Sequence, residues 1–368
     1  MPPPSAARVG LLLAFVGLVA FGGPAAHVAL MRRTVVEREG WIEPAEFNRM
    51  FAACNLIPGP SSTELAMFIG YRLAGWRGLM YAAVSFITPA MLIMLGLAVL
   101  YQRFAESRVA HLLLYGVRPV VVAIVGWAAL DLGRKLIQER LLLAVVPVAL
   151  VLYAFGFNPL LVLAACGLAG LVVTTLQSRA VSPILVSSLA GPHPERLLPL
   201  FLMFLKLGAV SYGSGYVLFA FLDTDFVKGL HWLQPTQLVD AVALGQVTPG
   251  PVFTTATFLG YLFGGLPGAL IATLAIFLPG LILVPALDRL VRLVAKRAAL
   301  RLFLEAINAA VIGLIIAVGF DLARAAFIDP IAVSIAVIAF PVIVWRPLAA
   351  PALVAAGAAI GVVSGRLH

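Results

Sequence analysis

The chain has 368 residues, 62% of them hydrophobic and only 11% charged, with a mean hydropathy of +1.07. A soluble domain carries about 25% charged residues, so a water-facing globular protein is excluded and an all-α polytopic membrane protein is expected. The net charge of +9 does not point to nucleic acid, because the basic residues sit between hydrophobic runs, where they set topology.

The first hydrophobic run, 10–31, contains Gly22-Gly23-Pro24 and His27. It lacks a convincing signal-peptidase site, and it is read as a retained span. Segment 46–73 follows and is broken by Asn55-Leu56-Ile57-Pro58-Gly59-Pro60-Ser61-Ser62-Thr63. Proline removes a backbone donor and glycine loosens the chain, so no helix runs through this point. Runs 79–101, 109–131, 141–157 and 159–177 approach or reach the 17–25 residues or so needed to cross a bilayer. The second part repeats the plan. Run 197–221 precedes a broken segment, 237–262, with Gln246-Val247-Thr248-Pro249-Gly250-Pro251-Val252-Phe253-Thr254, and runs 268–287, 303–323, 329–345 and 348–364 follow. Cys54 and Cys166 lie in apolar runs and read as small core hydrophobes. There is no nucleotide-binding Walker pattern, no Asp-Lys-Thr-Gly phosphorylation motif and no metal-ligand spacing, so no enzyme, metal or cofactor is expected.

The two parts are an internal repeat, expected to divide at 1–190 and 191–368. At an offset of 191, Gly22 matches Gly213, Trp41 matches Trp232, Pro44 matches Pro235 and Pro58-Gly59-Pro60 matches Pro249-Gly250-Pro251. One residue of slippage makes the offset 190, where Gly70-Tyr71 matches Gly260-Tyr261, Pro89 matches Pro279, and Asp131-Leu132-x-Arg134 matches Asp321-Leu322-x-Arg324. Compositional bias aligns Leu with Leu, but not Trp, Pro, Gly-Tyr and Asp-Leu-x-Arg in one order.

Loop charges orient the halves. Arg32, Arg33 and Arg38 stand against a single Lys228 in the matching loop, while Arg103 and Arg108 stand against Arg289, Arg292, Lys296, Arg297 and Arg301. Basic loops stay cytoplasmic, so the halves are inverted. Five full spans plus one re-entrant broken pair per half place loops 32–44, 72–78, 132–140, 178–196 and 288–301 in the cytoplasm and both termini outside. A fold-back at Gly22-Gly23-Pro24 would expose the Lys296 loop, which favours a first run that spans. Asp131 with Arg134 and Asp321 with Arg324 read as intrahelical pairs.

Irregular backbone at membrane depth survives only inside protein or beside a cavity. Inverted repeats with interrupted helices place a transporter's site where the repeats meet. Each helix restarting after Pro-Gly-Pro offers orphan N–H donors and a positive dipole end, with Ser61, Ser62 and Thr63, or Thr254 and Thr255, adding hydroxyls. Two such termini suit an oxyanion. Asn55 and Gln246 precede the breaks and either touch substrate or satisfy freed backbone. Lys206 and Arg118, deep in their runs, are candidates to balance the anion's charge, against snorkelling to an interface for Arg118. Glu64 and His27 are candidates to carry a coupled proton, against an ion-pair role for Glu64 and a core hydrogen-bonding role for His27.

Phe21-Gly22-Gly23-Pro24-Ala25-Ala26-His27 and Pro58-Gly59-Pro60-Ser61-Ser62-Thr63-Glu64-Leu65-Ala66 with Gly70-Tyr71 resemble the first domain of the chromate ion transporter family. Gln246-Val247-Thr248-Pro249-Gly250-Pro251-Val252-Phe253-Thr254-Thr255-Ala256-Thr257-Phe258 with Gly260-Tyr261 resembles the second. The resemblance spans essentially the whole chain in the long, two-domain form. It implies a multi-pass protein of the bacterial inner membrane that exports chromate and confers chromate resistance, with sulfate as the structural analogue. Glu64 departs from the pattern, in which many members carry Gln. A transporter of another oxyanion or an anion channel are the rival readings, and a homodimer is an assembly left open.

Overall fold

In a computed structural model, residues 4–21, 23–136, 140–175, 197–212, 215–295, 297–346 and 350–364 are described, and among them every regular element is helical. The first half comprises α1 (Ala6–Val19), α2 (Gly23–Met31), a wide π-type turn (Arg32–Arg38), α3 (Pro44–Cys54), α4 (Ser61–Phe104), α5 (Arg108–Leu136), α6 (Arg140–Leu143), α7 (Val145–Ala154) and α8 (Pro159–Thr175). The second comprises α9 (Leu197–Val210), α10 (Val217–Leu222), a matching π-type turn (Asp223–Gly229), α11 (Pro235–Val247), α12 (Thr255–Leu283), α13 (Leu287–Ala295), α14 (Ala298–Ala326), α15 (Pro330–Trp345) and α16 (Ala350–Ser364). Among the described residues four stretches are long and apolar enough to cross a membrane: Ser61–Phe104, Arg108–Arg134, Val252–Val294 and Ala299–Ala326. Shorter apolar helices accompany them.

The repeat extends to detail. α4 is two limbs joined at Ala74 (φ −143°) and Gly75 (φ +60°), and α12 is two limbs joined at Gly264 (φ −149°) and Gly265 (φ +59°). On either side of the first joint Gly70 and Gly78 face each other so closely that a Cβ on one would strike the other's carbonyl, and Gly260 and Gly268 do the same. The one-residue slippage has a physical cause. The helix after the second break starts with a 3-10 turn, Val252–Thr254, whereas the helix after the first is α from Ser61. Three 3-10 residues rise about 6 Å, as far as four α residues, so one residue fewer covers the same distance.

Each broken segment returns to the face it left. Arg72, at the end of the first limb of α4, is hydrogen-bonded to Glu46 at the start of α3. In the second half the rings of Trp232, ahead of α11, and Phe263, ending the first limb of α12, meet at 5.3 Å.

The first run of each half departs from expectation, because it is broken too. α1 stops at Val19 with Ala20 extended, and α2 restarts at Gly23 with φ +76°. The second half has α9 ending at Val210 and α10 starting at Val217. Arg8, heading α1, pairs with Glu39 at 2.8 Å and lies over the Trp41 ring. The chain that leaves one face in α1 is therefore back at it by residue 39, and the start of α1 lies beside the 32–44 loop instead of opposite it. The fold-back does not turn the other basic loop around, because Arg72 also reaches Asp288 at 3.6 Å. Residues 32–44, 72–78, 288–295 and 297–301 share one basic face. The opposite face gathers Tyr115 with Asp329 and Lys228 with Asp321, so the halves are inverted. The expected placement of loop 178–196, and of Lys296, lies outside the described residues.

Contacts sort the helices into two bundles, each drawing on both halves. One, the break bundle, packs α1 and α2 on α4, α9 on α12, and α4 on α12. The other, the frame, packs α7 and α8 on α14, α15 and α16 on α5, and α5 on α14. Small residues let these helices approach: a Cβ on Gly17 would strike the Phe86 carbonyl, and one on Gly208 the matching Ile276 carbonyl.

Candidate functional site

The four helix breaks meet and are tied across the halves. The Gly59 N–H donates to the Ser211 carbonyl at 2.7 Å, and the Gly250 N–H donates to the Ala20 carbonyl at 3.3 Å. Gly59 and Gly250 are repeat mates, as are Ala20 and Ser211, so each Pro-Gly-Pro break is bonded to the first-run break of the other half. Both glycines hold left-handed backbone, at φ +129° and +94°, a region open to glycine at little cost. The bonds satisfy groups that a break at membrane depth would otherwise leave unpaired.

His27 completes one side of the crossing. Its Nε2 lies 3.1 Å from the Ala20 carbonyl and its Nδ1 lies 3.1 Å from Ser62 Oγ, with the ring edge-on to Phe86. A carbonyl only accepts, so Nε2 carries the proton and Nδ1 accepts from the Ser62 hydroxyl. Both nitrogens are engaged in holding α2 and α4 to the break, the structural alternative to proton carriage. Replacing His27 by Ala removes two buried hydrogen bonds and is expected to cost about 1–3 kcal/mol, read as a lower thermal midpoint of the detergent-solubilised protein.

The other predicted residues divide. Pro58, Gly59, Pro60, Pro249, Gly250 and Pro251 are buried at the crossing. Asn55 donates to the Phe51 carbonyl at 3.2 Å, closing the end of α3, and Ser61 is half-buried. Thr254 and Thr255 donate into their own turn, to the carbonyls of Pro251 (2.7 Å) and Val252 (2.8 Å). Their hydroxyl protons are therefore spent locally, a habit of Thr near helix starts. Gln246 accepts a long bond from Tyr216 at 3.5 Å, and its Nε2 is buried without a partner. Thr63 Oγ1 and both Glu64 carboxylate oxygens are likewise buried without partners. Glu64 folds back over Gly59: a Cβ there would lie 3.1 Å from Glu64 Cδ, and one on Gly280 of α12 would lie 3.5 Å from Glu64 Cγ. The carboxyl thus sits between the first break and the second half.

Neither expected cation is free. Lys206 pairs with Asp225 at 2.8 Å, and Arg118 grips Asp240 through Nε (2.7 Å) and Nη2 (2.9 Å). Asp240 also accepts from Tyr101 at 2.9 Å and was missed by sequence reasoning, although an ionisable residue in an apolar helix is itself a signal. Asp321 pairs with Lys228 at 2.7 Å, while Arg324 lies over the Phe320 ring, so the expected Asp321–Arg324 pair is replaced. Two open cavities lie elsewhere: one of about 280 Å³ lined by Leu142, Val148, Cys166 and Leu302, and one of about 210 Å³ lined by Arg8, Phe15 and Trp41. Among the described residues no His/Cys/Asp/Glu group is placed to hold a metal.

Inverted halves, helices broken at depth and tied across the halves, and partnerless buried polar groups at the crossing define a multi-pass membrane transporter. Residues 8–171 and 198–362 each match the chromate transporter family. The chain is 32% identical to a chromate transport protein of Cupriavidus metallidurans over 95% of this chain and 90% of the relative. It is 31% identical to a chromate transport protein of Pseudomonas aeruginosa over 84% and 79%, and 28% identical to an uncharacterised transporter of Methanocaldococcus jannaschii over 78% of each. No solved structure matches. The chain belongs to the chromate transporter family.

Proposed function

We propose that this protein is a secondary transporter that exports chromate across the bacterial inner membrane by alternating access and so confers chromate resistance. The basic face is cytoplasmic by the positive-inside tendency. Relatives named for chromate transport support the substrate. The observation that carries the mechanism is the reciprocal tie between the breaks, Gly59 to Ser211 and Gly250 to Ala20. It sets both Pro-Gly-Pro helix starts at the meeting of the halves, where their N–H groups and dipoles favour an oxyanion.

The oxyanion is held by donors, because Lys206 and Arg118 already have carboxylate partners. Thr63 Oγ1 and Gln246 Nε2 are buried and unspent, and the N–H groups of the two residues directly after Pro60 and after Pro251 add to them, those of Thr63 and Thr254 being bonded to the Pro60 and Pro251 carbonyls. Glu64 enters as the coupling group. A carboxyl buried without a cation is tolerated in its uncharged form, and a protonated carboxyl donates to an oxyanion where a carboxylate repels it. One proton thus accompanies each anion into the site, and His27 positions the helix start without carrying the proton.

Chromate flux into proteoliposomes under imposed pH and voltage gradients tests this reading; the absence of chromate flux in functional vesicles overturns the substrate. In the same assay Thr63→Val is expected to lower flux at least about tenfold, the loss of one buried bond to a charged ligand. Thr254→Val and Thr255→Val are expected to stay within about threefold, because their hydroxyl protons are already used within their own turn. Flux that falls equally in all three variants would put the second helix start in contact with the substrate through its hydroxyls.

A further inference from the structure

The two bundles meet unevenly. On the face opposite the basic one, α11 packs against both α5 and α14, α10 packs on α14, and Arg118 of α5 grips Asp240 of α11. Lys228 bonds Asp223 and Asp321 there, with Tyr153 of α7 donating to Asp223 at 2.7 Å. On the basic face α2 and α3, the repeat mates of α10 and α11, make no comparable contact with α5 or α14. The break bundle is shut against the frame at one end and not at the other.

The repeat names the residues at the unshut end. At the 191 offset Asp240 matches Arg49, and at the 190 offset Arg118 matches Asn308. Arg49 is exposed on α3, and Asn308 Oδ1 on α14 is buried without a hydrogen-bond partner. A guanidinium and an amide oxygen are complementary donor and acceptor. The arrangement is the closed pair inverted, with the donor now on the break bundle and the acceptor on the frame.

We infer that Arg118–Asp240 and Arg49–Asn308 are two latches closed in alternation, and that closing α3 onto α14 brings the Arg49 guanidinium to Asn308 Oδ1 when the Asp240 latch opens. The inference rests on alternating access and not on the identity of the substrate. Alternating access in inverted-repeat transporters rocks one bundle against the other around a fixed site, and a second conformation in which the halves exchange roles reverses the asymmetry seen between α11 and α3. The latches differ in strength by design of the sequence. Asp240 takes two charge-assisted bonds from Arg118 and one from Tyr101, whereas a neutral amide offers Arg49 a weaker grip. The conformation shut at the Asp240 end is accordingly the resting one.

The test uses the full chain in membranes, with Cys54→Ala and Cys166→Ala as background and Arg49→Cys with Asn308→Cys as a reporter for a short bifunctional thiol reagent, without substrate. With Asp240 intact, cross-linking is expected to be slow. Adding Asp240→Asn, which cuts the charge from the closed latch, is expected to raise the rate at least about fivefold by shifting the population. Tyr101→Phe, which removes one of three bonds, raises it by less, and it decides the matter alone if Asp240→Asn does not give a monodisperse protein. An unchanged rate in the folded variants overturns the latch pairing. Cross-linking that responds in a protein with no chromate flux rejects the substrate and leaves the latches standing.

Discussion

Replacing Glu64 by Gln is expected to leave chromate binding intact at low pH and to remove its decline as pH rises. In the native protein the carboxyl lies between Gly59 and Gly280 with neither oxygen partnered. A dianion approaching the helix start after Pro60 meets either a protonated acid, which donates to it, or a carboxylate, which repels it in a medium where charges are poorly screened. The sign follows. The proton is present on the binding-competent form, so affinity is full below the group's titration and falls above it by about tenfold per pH unit for one linked proton. Glutamine is neutral at every pH and keeps two donors, so its profile is flat apart from the substrate's own protonation, common to both proteins. Radiolabelled sulfate, a dianion throughout, separates the two. A Glu64→Gln variant whose pH profile matches the native one would remove Glu64 from the coupling, as would native transport indifferent to an imposed proton gradient.

Glu64 also marks where sequence reading reached and where it stopped. Composition, the 191–190 repeat and the paired Pro-Gly-Pro breaks are properties of the linear chain, and they led to an inverted-repeat helical membrane protein; the breaks as its site remain a proposal. The break within the first run was visible as Gly22-Gly23-Pro24. Counting crossings argued against it, because the count treated the matching second-half run as continuous, and that run carries no proline near its break. The partners of charged groups were out of reach for another reason. Lys206 finds Asp225 19 residues on and Arg118 finds Asp240 122 residues on, and nothing in local pattern encodes which carboxylate will fold against which cation. Read singly, both looked like free charges awaiting an anion; in the fold they are structural pairs, which is why neutral donors and helix ends are the proposed partners of the anion. The first-turn threonines were legible in principle, since Thr commonly bonds back to the preceding turn. Thr63 escapes that fate while Thr254 and Thr255 do not.

Replacing Gly250 by Val is expected to abolish transport and to destabilise the fold, and Gly250→Ala to do so by less. Two independent effects add at this position. Its φ of +94° costs a side-chain-bearing residue about 1–3 kcal/mol. A Cβ built there would lie 2.7 Å from Ala90 Cβ and 3.0 Å from the Gly17 carbonyl, so α1 and α4 of the first half must retreat. That retreat draws the Gly250 N–H from the Ala20 carbonyl, the acceptor that also orders His27 and through it Ser62. A single methyl in the second half therefore disturbs the helix start of the first, and flux is expected to fall by at least about a hundredfold, equivalent to about 2.7 kcal/mol at the transition state. The matching substitution, Gly59→Ala, strikes something different: its Cβ meets the Glu64 carboxyl, the far end of a side chain that can swing away. Its φ of +129° carries a backbone cost of the same kind, but with no clash against backbone or packed helices it is expected to retain more stability than Gly250→Ala while losing the pH dependence of flux, because the displaced carboxyl no longer faces the anion. Thermal midpoints and pH profiles of the two alanine variants, measured side by side, separate a strained crossing from a displaced proton carrier. Equal midpoints with native pH dependence in both would show that neither break is held as tightly as the close contacts at Gly17, Ala90 and Gly280 require.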